Sequence, residues 1–194
     1  ARMAGGEIAG IGVDSWGVDF GLLDADGNLI ENPYHYRDAR TEGMFEEAFK
    51  RVPKREIYDA TGLQFMRLNS LYQVLAMHLA GDPALEKADK LMFMADLVSH
   101  ELCGEMFAEY SLASTSQMMN MRTGEWSREL LERLDLPAGI LPKIVPSGTV
   151  LAPIAEDIAA DVGMNRAPVI AAASHDTGCA VAAVPGRGTD WAYI

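Results

Sequence analysis

Near the carboxyl end of the chain, an aspartate stands where an apolar segment gives way to polar residues. Residues 169–173 are apolar, as in a buried strand, and Ser174-His175-Asp176-Thr177 follows them. The next residues are small and apolar again, which predicts a packed helix beginning close to the aspartate. Ligands bind beyond the carboxyl ends of strands in an open α/β sheet, and a helix start presents free N–H groups. An ionised carboxylate placed there suits a general base and equally a helix N-cap, so both interpretations stay open.

A second group of polar and aromatic residues follows a predicted strand at Ile8–Val13. It contains Asp14, Trp16, Gly17 and Asp19. Glycine allows a ligand to approach the backbone closely, and an aromatic face packs well on the C–H surface of a sugar ring. The pattern is typical of a sugar-binding loop, but Asp and Gly are also ordinary turn residues and the tryptophan could belong to the core.

The block Tyr36-Arg37-Asp38-Ala39-Arg40 is dense in side chains that form hydrogen bonds. Arginine and aspartate at this spacing could clamp a polyhydroxyl ligand. They could equally form an exposed network of ion pairs, each contributing about 0–1 kcal/mol to stability.

Composition and charge limit the class of protein. The chain has 194 residues, 49% of them hydrophobic and 23% charged, which is enough to bury a sizeable core. Its net charge of −12 repels a phosphate backbone, so we expect no nucleic-acid partner. No apolar run is long enough to span a bilayer, and the first residues lack the apolar segment of a signal peptide. The two cysteines, Cys103 and Cys179, have no metal-type spacing, which favours reduced thiols in a cytoplasmic protein without a membrane partner.

Strand and helix patterns alternate along the chain, which predicts an α/β fold. Residues 24–28 have the composition of a hairpin turn, and Pro53 interrupts a helical pattern over 43–60. Three prolines between residues 137 and 146 predict a loop-rich stretch. We expect strands at Ile8–Val13, Phe20–Leu23, Leu29–Ile30, Leu91–Phe93 and Pro168–Ala173, and helices at Asn69–Ala80, Asp96–Leu102, Ser127–Leu134 and Ile154–Val162.

Both ends of the sequence lie close to apolar runs. A strand pattern begins at Ile8, and the chain stops within the apolar and aromatic run 191–194. A natural domain more often ends in a solvated tail or linker, so we expect a fragment of a longer protein, truncated at both ends. The loss of neighbouring strands would expose sheet edges, through which a homo-oligomer could form.

Several segments together resemble the FGGY family of carbohydrate kinases, and within it the rhamnulokinases most closely. They occur in consistent order over nearly the whole chain, so the resemblance is specific. The segments are GVDSWGVDF at 12–20, YRDART at 36–41 and ASHDT at 173–177, with further similarity at 55–58, 61–65 and 69–73.

The resemblance implies a ribonuclease H-like domain of the actin and Hsp70 type. It also implies an enzyme that transfers the γ-phosphate of ATP, with Mg²⁺, to the 1-hydroxyl of L-rhamnulose. Asp176 matches the family's catalytic base, and Gly17 matches a sugar-contacting glycine at which a side chain would fill the pocket. The residues that the resemblance assigns to sugar binding are Trp16, Gly17, Asp19, Tyr36, His175, Asp176 and Thr177.

The same resemblance identifies parts of the family that residues 1–194 lack. The glycine-rich phosphate-binding hairpin that opens the family's first domain does not precede Ile8, and the ATP-binding second domain is absent. The segment Gly186-Arg187-Gly188-Thr189 reads as a surface turn. We therefore expect residues 1–194 to be the sugar-binding part of the N-terminal domain. We expect them to supply no cofactor-binding or metal-binding residues and to be inactive alone.

Other functions stay open from the residues themselves. Another FGGY kinase would act on xylulose, fuculose or glycerol, and a non-catalytic module would only bind the sugar. A protein of a different class, a two-metal nuclease, could be built on Asp14, Asp19 and Asp176. The net charge of −12 and the lack of a basic groove disfavour the nuclease, because its substrate path needs cations.

Overall fold

The computed structural model describes residues 6–188, 190 and 192. Most of the apolar run at 191–194 therefore lies outside the described residues. The strands are β1 Ile11–Gly12, β2 Phe20–Leu23, β3 Lys90–Phe93, β4 Ala108–Glu109, β5 Met119–Asn120, β6 Glu125–Trp126, β7 Ile144–Val145, β8 Thr149–Pro153 and β9 Pro168–Ala171. The helices are α1 Met44–Arg51, α2 Lys54–Thr61, α3 Ser70–Ala80, α4 Pro83–Lys87, α5 Met94–Cys103, α6 Tyr110–Thr115, α7 Arg128–Arg133, α8 Glu156–Val162 and α9 Asp176–Ala182. Short 3₁₀ turns lie at Ala39–Thr41 and Ala138–Ile140.

A three-stranded sheet in the order β1-β9-β8 carries the two segments of chemical interest. Strand β1 runs parallel to β9, with Ile11 opposite Val169, and β8 runs antiparallel to β9. Parallel strands bring their carboxyl ends to the same edge of a sheet. An isolated bridge between Ser15 and His175 continues this pairing past the strand ends. The loops that follow β1 and β9 are thus neighbours.

The main core lies beside this sheet and is built on the antiparallel pair β2–β3. Helices α1, α2, α3, α6 and α7 bury apolar side chains against the pair. Helix α3 is the most buried of them because apolar and uncharged residues occupy nearly all of its faces. The core therefore anchors α3 and α6, the two helices whose polar side chains reach the loop after β1.

Much of the predicted element order is confirmed. Helix α1 ends at Arg51 and α2 begins at Lys54, so Pro53 does separate two helices. The helix expected at Asn69–Ala80 is α3, with Asn69 at its N-cap position, although the Asn69 side chain makes no capping bond. Residues 24–28 form the predicted turn, in which the Asp24 carboxylate accepts from the backbone of Asn28 at 2.8 Å.

Three predictions about elements are wrong. The first strand is two residues long instead of Ile8–Val13, and Ile8 is exposed, because β1 has a partner on one side only among the described strands. Leu29 forms one bridge to Leu23 instead of a strand. Helix α9 begins where expected but buries none of its residues, so it is a surface helix and not a packed one.

Candidate functional site

Backbone hydrogen bonds join the two loops at the strand ends. The N–H of Ser15 donates to the carbonyl of Ser174 at 2.9 Å, and the N–H of Asp176 donates to the carbonyl of Ser15 at 2.9 Å. These bonds extend the parallel pairing of β1 and β9 to the first residue of α9. The candidate base and the candidate sugar-binding loop are therefore held together through the main chain, independently of their side chains.

The carboxylate of Asp176 is half exposed, with 53% of its side chain accessible. Asp176 is the first residue of α9, and His175 occupies the N-cap position, so the aspartate is not the cap of this helix. Its contacts within the described part of the chain all involve Oδ1, which accepts from the Thr177 N–H at 2.5 Å and lies 3.5 Å from Nε2 of His175. The other oxygen, Oδ2, has no hydrogen-bond or ion-pair partner among the described residues.

In the loop after β1, a buried carboxylate holds an exposed indole. Trp16 is 42% exposed, whereas Asp19 is 1% exposed. The indole N–H of Trp16 donates to Oδ2 of Asp19 at 2.8 Å, and the backbone N–H of Tyr36 donates to the same oxygen at 3.2 Å. On the other side, Nε2 of Gln73 lies 3.4 Å from Oδ1. Any effect of Asp19 on a ligand above Trp16 would therefore be transmitted through the indole.

Gly17 lies where helix α6 approaches the loop most closely. A Cβ at this position would lie 2.9 Å from both Cγ2 and Oγ1 of Thr115. The Thr115 hydroxyl also accepts from the N–H of Val18 at 3.1 Å, and Val18 has a φ of 70°, which is strained for a β-branched residue. The structure thus gives Gly17 a packing role inside the protein, next to its predicted contact with the sugar.

The block at 36–40 does not form the exposed network of ion pairs that was one of its two interpretations; the ligand clamp stays a prediction. Among the described residues, no ion pair joins Arg37, Asp38 or Arg40. Instead, Nη2 of Arg40 donates to Oε1 of Gln73 at 2.9 Å, and its guanidinium lies 4.1 Å from the ring centroid of Tyr34. Burial lowers the pKa of Arg40 below its ordinary value, although neighbouring acids partly oppose the shift. Arg40 therefore supports the loop after β1 indirectly, through Gln73, which itself contacts Asp19.

Two supporting residues were missed in the sequence. Glu109, at the end of β4, is fully buried and accepts from the N–H of Ser174 at 3.2 Å. Ser70, the first residue of α3, donates its hydroxyl to the carbonyl of Val18 at 2.6 Å. An acidic residue directly before a helical pattern indicates an N-cap, which would have predicted a local role for Glu109. No local signal connects it to a segment 65 residues away.

The carboxylates of the two loops do not assemble into a metal centre. Within the described ranges, no group of three or more His, Cys, Asp or Glu side chains is arranged to hold a metal ion. The carboxylate of Asp19 is buried and accepts from the indole N–H of Trp16. None of the described helices combines the length and apolarity needed to cross a membrane.

Comparison with known proteins identifies relatives of this chain and a solved structure with the same fold. A rhamnulokinase from Bacteroides thetaiotaomicron is 44% identical over 98% of this chain and 39% of its own length. A rhamnulokinase from Lactiplantibacillus plantarum is 35% identical over 95% of the chain and 37% of its own length. The crystal structure of a ligand-bound xylulose kinase from Lactobacillus acidophilus shares the fold, with a TM-score of 0.79 at 23% identity over 87% of this chain and 34% of that one.

The match to a family covers nearly all of the fold described above. The chain spans about two fifths of the length of these relatives. Its predicted fold class, a ribonuclease H-like domain of the actin and Hsp70 type, is confirmed by the solved sugar kinases that share it. Residues 2–183 match the N-terminal domain of the FGGY family of carbohydrate kinases, and the chain therefore belongs to that family.

Proposed function

We propose that this chain is the sugar-binding part of an ATP-dependent kinase that phosphorylates the 1-hydroxyl of L-rhamnulose, with Asp176 as the general base. The observation that carries the proposal is the parallel pairing of β1 and β9. It brings the half-exposed carboxylate of Asp176 and the exposed indole of Trp16 to one edge of the sheet. The names of the relatives, rhamnulokinases at 44% and 35% identity, favour this sugar.

Asp176 would take the proton from the sugar hydroxyl as the oxygen attacks the γ-phosphate. Phosphoryl transfer requires positioning and charge neutralisation more than covalent chemistry, so one well-placed base is sufficient from this side of the site. The free Oδ2 can accept that proton while the Thr177 N–H holds Oδ1 at 2.5 Å. His175 and Thr177, on either side of the base, would contact other hydroxyls of the sugar.

The wall opposite the base would come from the loop after β1. The exposed indole of Trp16 offers a face for the C–H surface of the sugar, and Gly17 keeps the backbone free of a side chain. Tyr36, whose backbone is bonded to Asp19, would close one end. Asp19 would act through Trp16, because its own carboxylate is buried.

The nucleotide and its Mg²⁺ would be held by parts of the kinase other than residues 1–194. ATP, when bound, supplies the phosphoryl group. The site described here would bind the sugar, orient it and supply the base. We accordingly propose that residues 1–194 alone have no kinase activity, that the kinase is cytoplasmic, and that its ligand is a small ketose. Association through the edge strand β1 stays a prediction, and light scattering at high concentration would test it by the mass of the chain in solution.

The test is ATP-coupled turnover of L-rhamnulose by the full-length protein that contains this chain, compared with Asp176→Asn. We expect the substitution to lower kcat by about 10²- to 10⁴-fold, the usual contribution of a general base. Glu156→Gln is the matched control, because Glu156 is also an exposed acid at the first position of a helix, α8. This control should leave kcat unchanged.

Other outcomes would change specific parts of the proposal. Turnover of xylulose, fuculose or glycerol but not of L-rhamnulose would keep the base and replace the substrate. Sugar binding without turnover of any sugar would support a non-catalytic module. Turnover by residues 1–194 alone would contradict their proposed inactivity.

A further inference from the structure

Glu109 collects hydrogen bonds from more of the chain than a helix cap requires. It is fully buried at the end of β4, directly before α6. Its Oε2 accepts from the backbone N–H groups of Ser111 at 2.8 Å and Leu112 at 3.1 Å, which is ordinary N-capping. The same oxygen also accepts from the N–H of Ser174 at 3.2 Å, and the hydroxyl of Ser147 donates to Oε1.

Ser111 extends this contact by one residue toward the candidate base. Its hydroxyl donates to Oε2 of Glu109 and accepts from the N–H of His175 at 3.1 Å. The next N–H, that of Asp176, is bonded to the carbonyl of Ser15. The consecutive N–H groups of Ser174, His175 and Asp176 are thus all bonded to acceptors that lie outside their own loop.

Capping alone does not explain this arrangement. A cap accounts for the N–H groups of Ser111 and Leu112, both within α6, but not for those of Ser174 and His175, more than 60 residues later. A carboxylate is costly to bury unless it is fully hydrogen-bonded, and charge-assisted bonds to backbone N–H groups are short and strong. Such bonds restrict the path of the loop immediately before Asp176, whose side chain has no comparable restraint.

We infer that Glu109, together with Ser111, is a positioning residue for the base, an inference that rests on the proposed role of Asp176. The pair sets the direction in which the backbone enters α9, and this direction determines where the Asp176 carboxylate lies relative to the sugar hydroxyl. An error of about 1 Å in such a position lowers a rate by up to about 10²-fold. The pair does not contact the sugar, so its loss should act on kcat and leave the KM for the sugar nearly unchanged.

The test uses three variants of the full-length protein with two readouts. Ser111→Ala removes the acceptor of the His175 N–H but leaves the Glu109 carboxylate to cap α6. We expect kcat to fall about tenfold, with KM within about twofold, and hydrogen exchange of the peptide 173–178 to accelerate. Glu109→Ala should lower kcat by about 10²-fold. Glu109→Gln should restore most of the activity, because its amide oxygen can take the place of Oε2 and its NH₂ can donate to Ser147.

Asp82→Ala is the matched control for lost capping. Asp82 caps α4 through the N–H of Ala84 at 2.8 Å and forms no hydrogen bond with the loop before Asp176, although its charge acts on Arg40. This variant should lose stability without a change in kcat or in the exchange of 173–178. An unchanged kcat or unchanged exchange in folded Ser111→Ala would overturn the inference, even if Glu109→Ala fails to fold. If the wild type turns over no sugar, the proposed function fails, and the exchange data alone decide whether the pair holds the loop.

Discussion

The two loops of the candidate site each depend on a buried carboxylate, but they use it differently. In the loop after β1, Asp19 belongs to the loop and holds a side chain, the indole of Trp16. In the loop after β9, Glu109 comes from another strand and holds backbone N–H groups, leaving the side chain of Asp176 half exposed. The first arrangement fixes a binding surface, and the second fixes a backbone from which a reactive group projects.

This difference predicts how the two loops respond to substitution. Removing Asp19 leaves the N–H groups of Trp16 and Tyr36 without their acceptor, so the cost falls on stability and on sugar affinity. Changes around Glu109 should instead appear in kcat. The comparison fails if Asp19→Ala lowers kcat as much as Glu109→Ala does and leaves the KM for the sugar unchanged.

The largest effect on stability is expected for Asp19→Ala. The substitution leaves the N–H groups of Trp16 and Tyr36 without their acceptor, whereas Gln73 keeps the carbonyls of Val18 and Leu68, and it leaves a cavity. We expect the free energy of unfolding to fall by about 2–4 kcal/mol, measured by urea denaturation. Trp16→Phe removes a single donor and keeps the carboxylate bonded to Tyr36, so it should cost about 1 kcal/mol. Equal losses in the two variants would show that Asp19 acts only through Trp16.

Gly17→Ala tests the close contact between the loop and α6. Its Cβ would lie 2.9 Å from Thr115 Oγ1 and Cγ2, so we expect a loss of about 1–3 kcal/mol. In a Thr115→Ala background Oγ1 and Cγ2 are gone and only the Cβ of residue 115 remains, at 3.1 Å, so Gly17→Ala should cost less than half as much. A double-mutant cycle in urea measures this coupling. Additive effects would mean that Thr115 does not explain the glycine.

The sequence was sufficient to predict what depends on local pattern. The position of β9, the start of α9 at Asp176 and the helix break at Pro53 follow from apolar periodicity and from proline geometry. The pairing of the loops was not predicted, because it depends on which strands are neighbours, and β1 and β9 are distant in the chain.

What the sequence did not reveal depends on contacts between distant segments. The inward direction of Asp19, the reach of Glu109 to Ser174 and the approach of Thr115 to Gly17 join residues that are far apart in the chain. A carboxylate after a strand looks the same in sequence whether it faces a ligand or the core. Asp19 and Asp176 were therefore both assigned to sugar binding, although the first is 1% exposed and the second 53% at its side chain.

A smaller, pH-dependent effect is expected at Asp96, which contacts the support of the second loop. Its Oδ2 accepts from the backbone N–H of Glu109 at 3.1 Å, while its Oδ1 is buried without a partner. Burial, with a further contribution from the charge of Glu109, raises the pKa of Asp96 well above its ordinary value. Folded Asp96 therefore keeps its proton at pH values where unfolded Asp96 has lost it, and stability falls as pH rises from about 4 toward the folded pKa.

Asp96→Asn removes this pH dependence and keeps the acceptor for Glu109. The variant should gain about 1.4 kcal/mol relative to wild type for each pH unit in that window, measured by urea denaturation at several pH values. Asp24→Asn is the opposite control. The backbone N–H of Asn28 lowers the pKa of Asp24, so the stability that Asp24 contributes is present at neutral pH and is lost as pH falls. The same slope in both variants would contradict the protonation of Asp96.

The smallest effect on stability is expected for Gly178→Ala, and it is opposite in sign to the effect of Gly17→Ala. Gly178 is the third residue of α9, and a Cβ there would meet nothing nearer than 4.0 Å, the Cβ atoms of His175 and Ser111. Since alanine favours a helix over glycine by up to about 1 kcal/mol, we expect a gain of about 0.5–1 kcal/mol with KM for the sugar unchanged. The same substitution would then destabilise the loop that forms the wall and stabilise the helix that carries the base. A loss of stability in Gly178→Ala would instead mean that the start of α9 is packed as closely as the loop after β1. In that case the Asp176 side chain would be exposed, but the helix that carries it would not be free of close contacts.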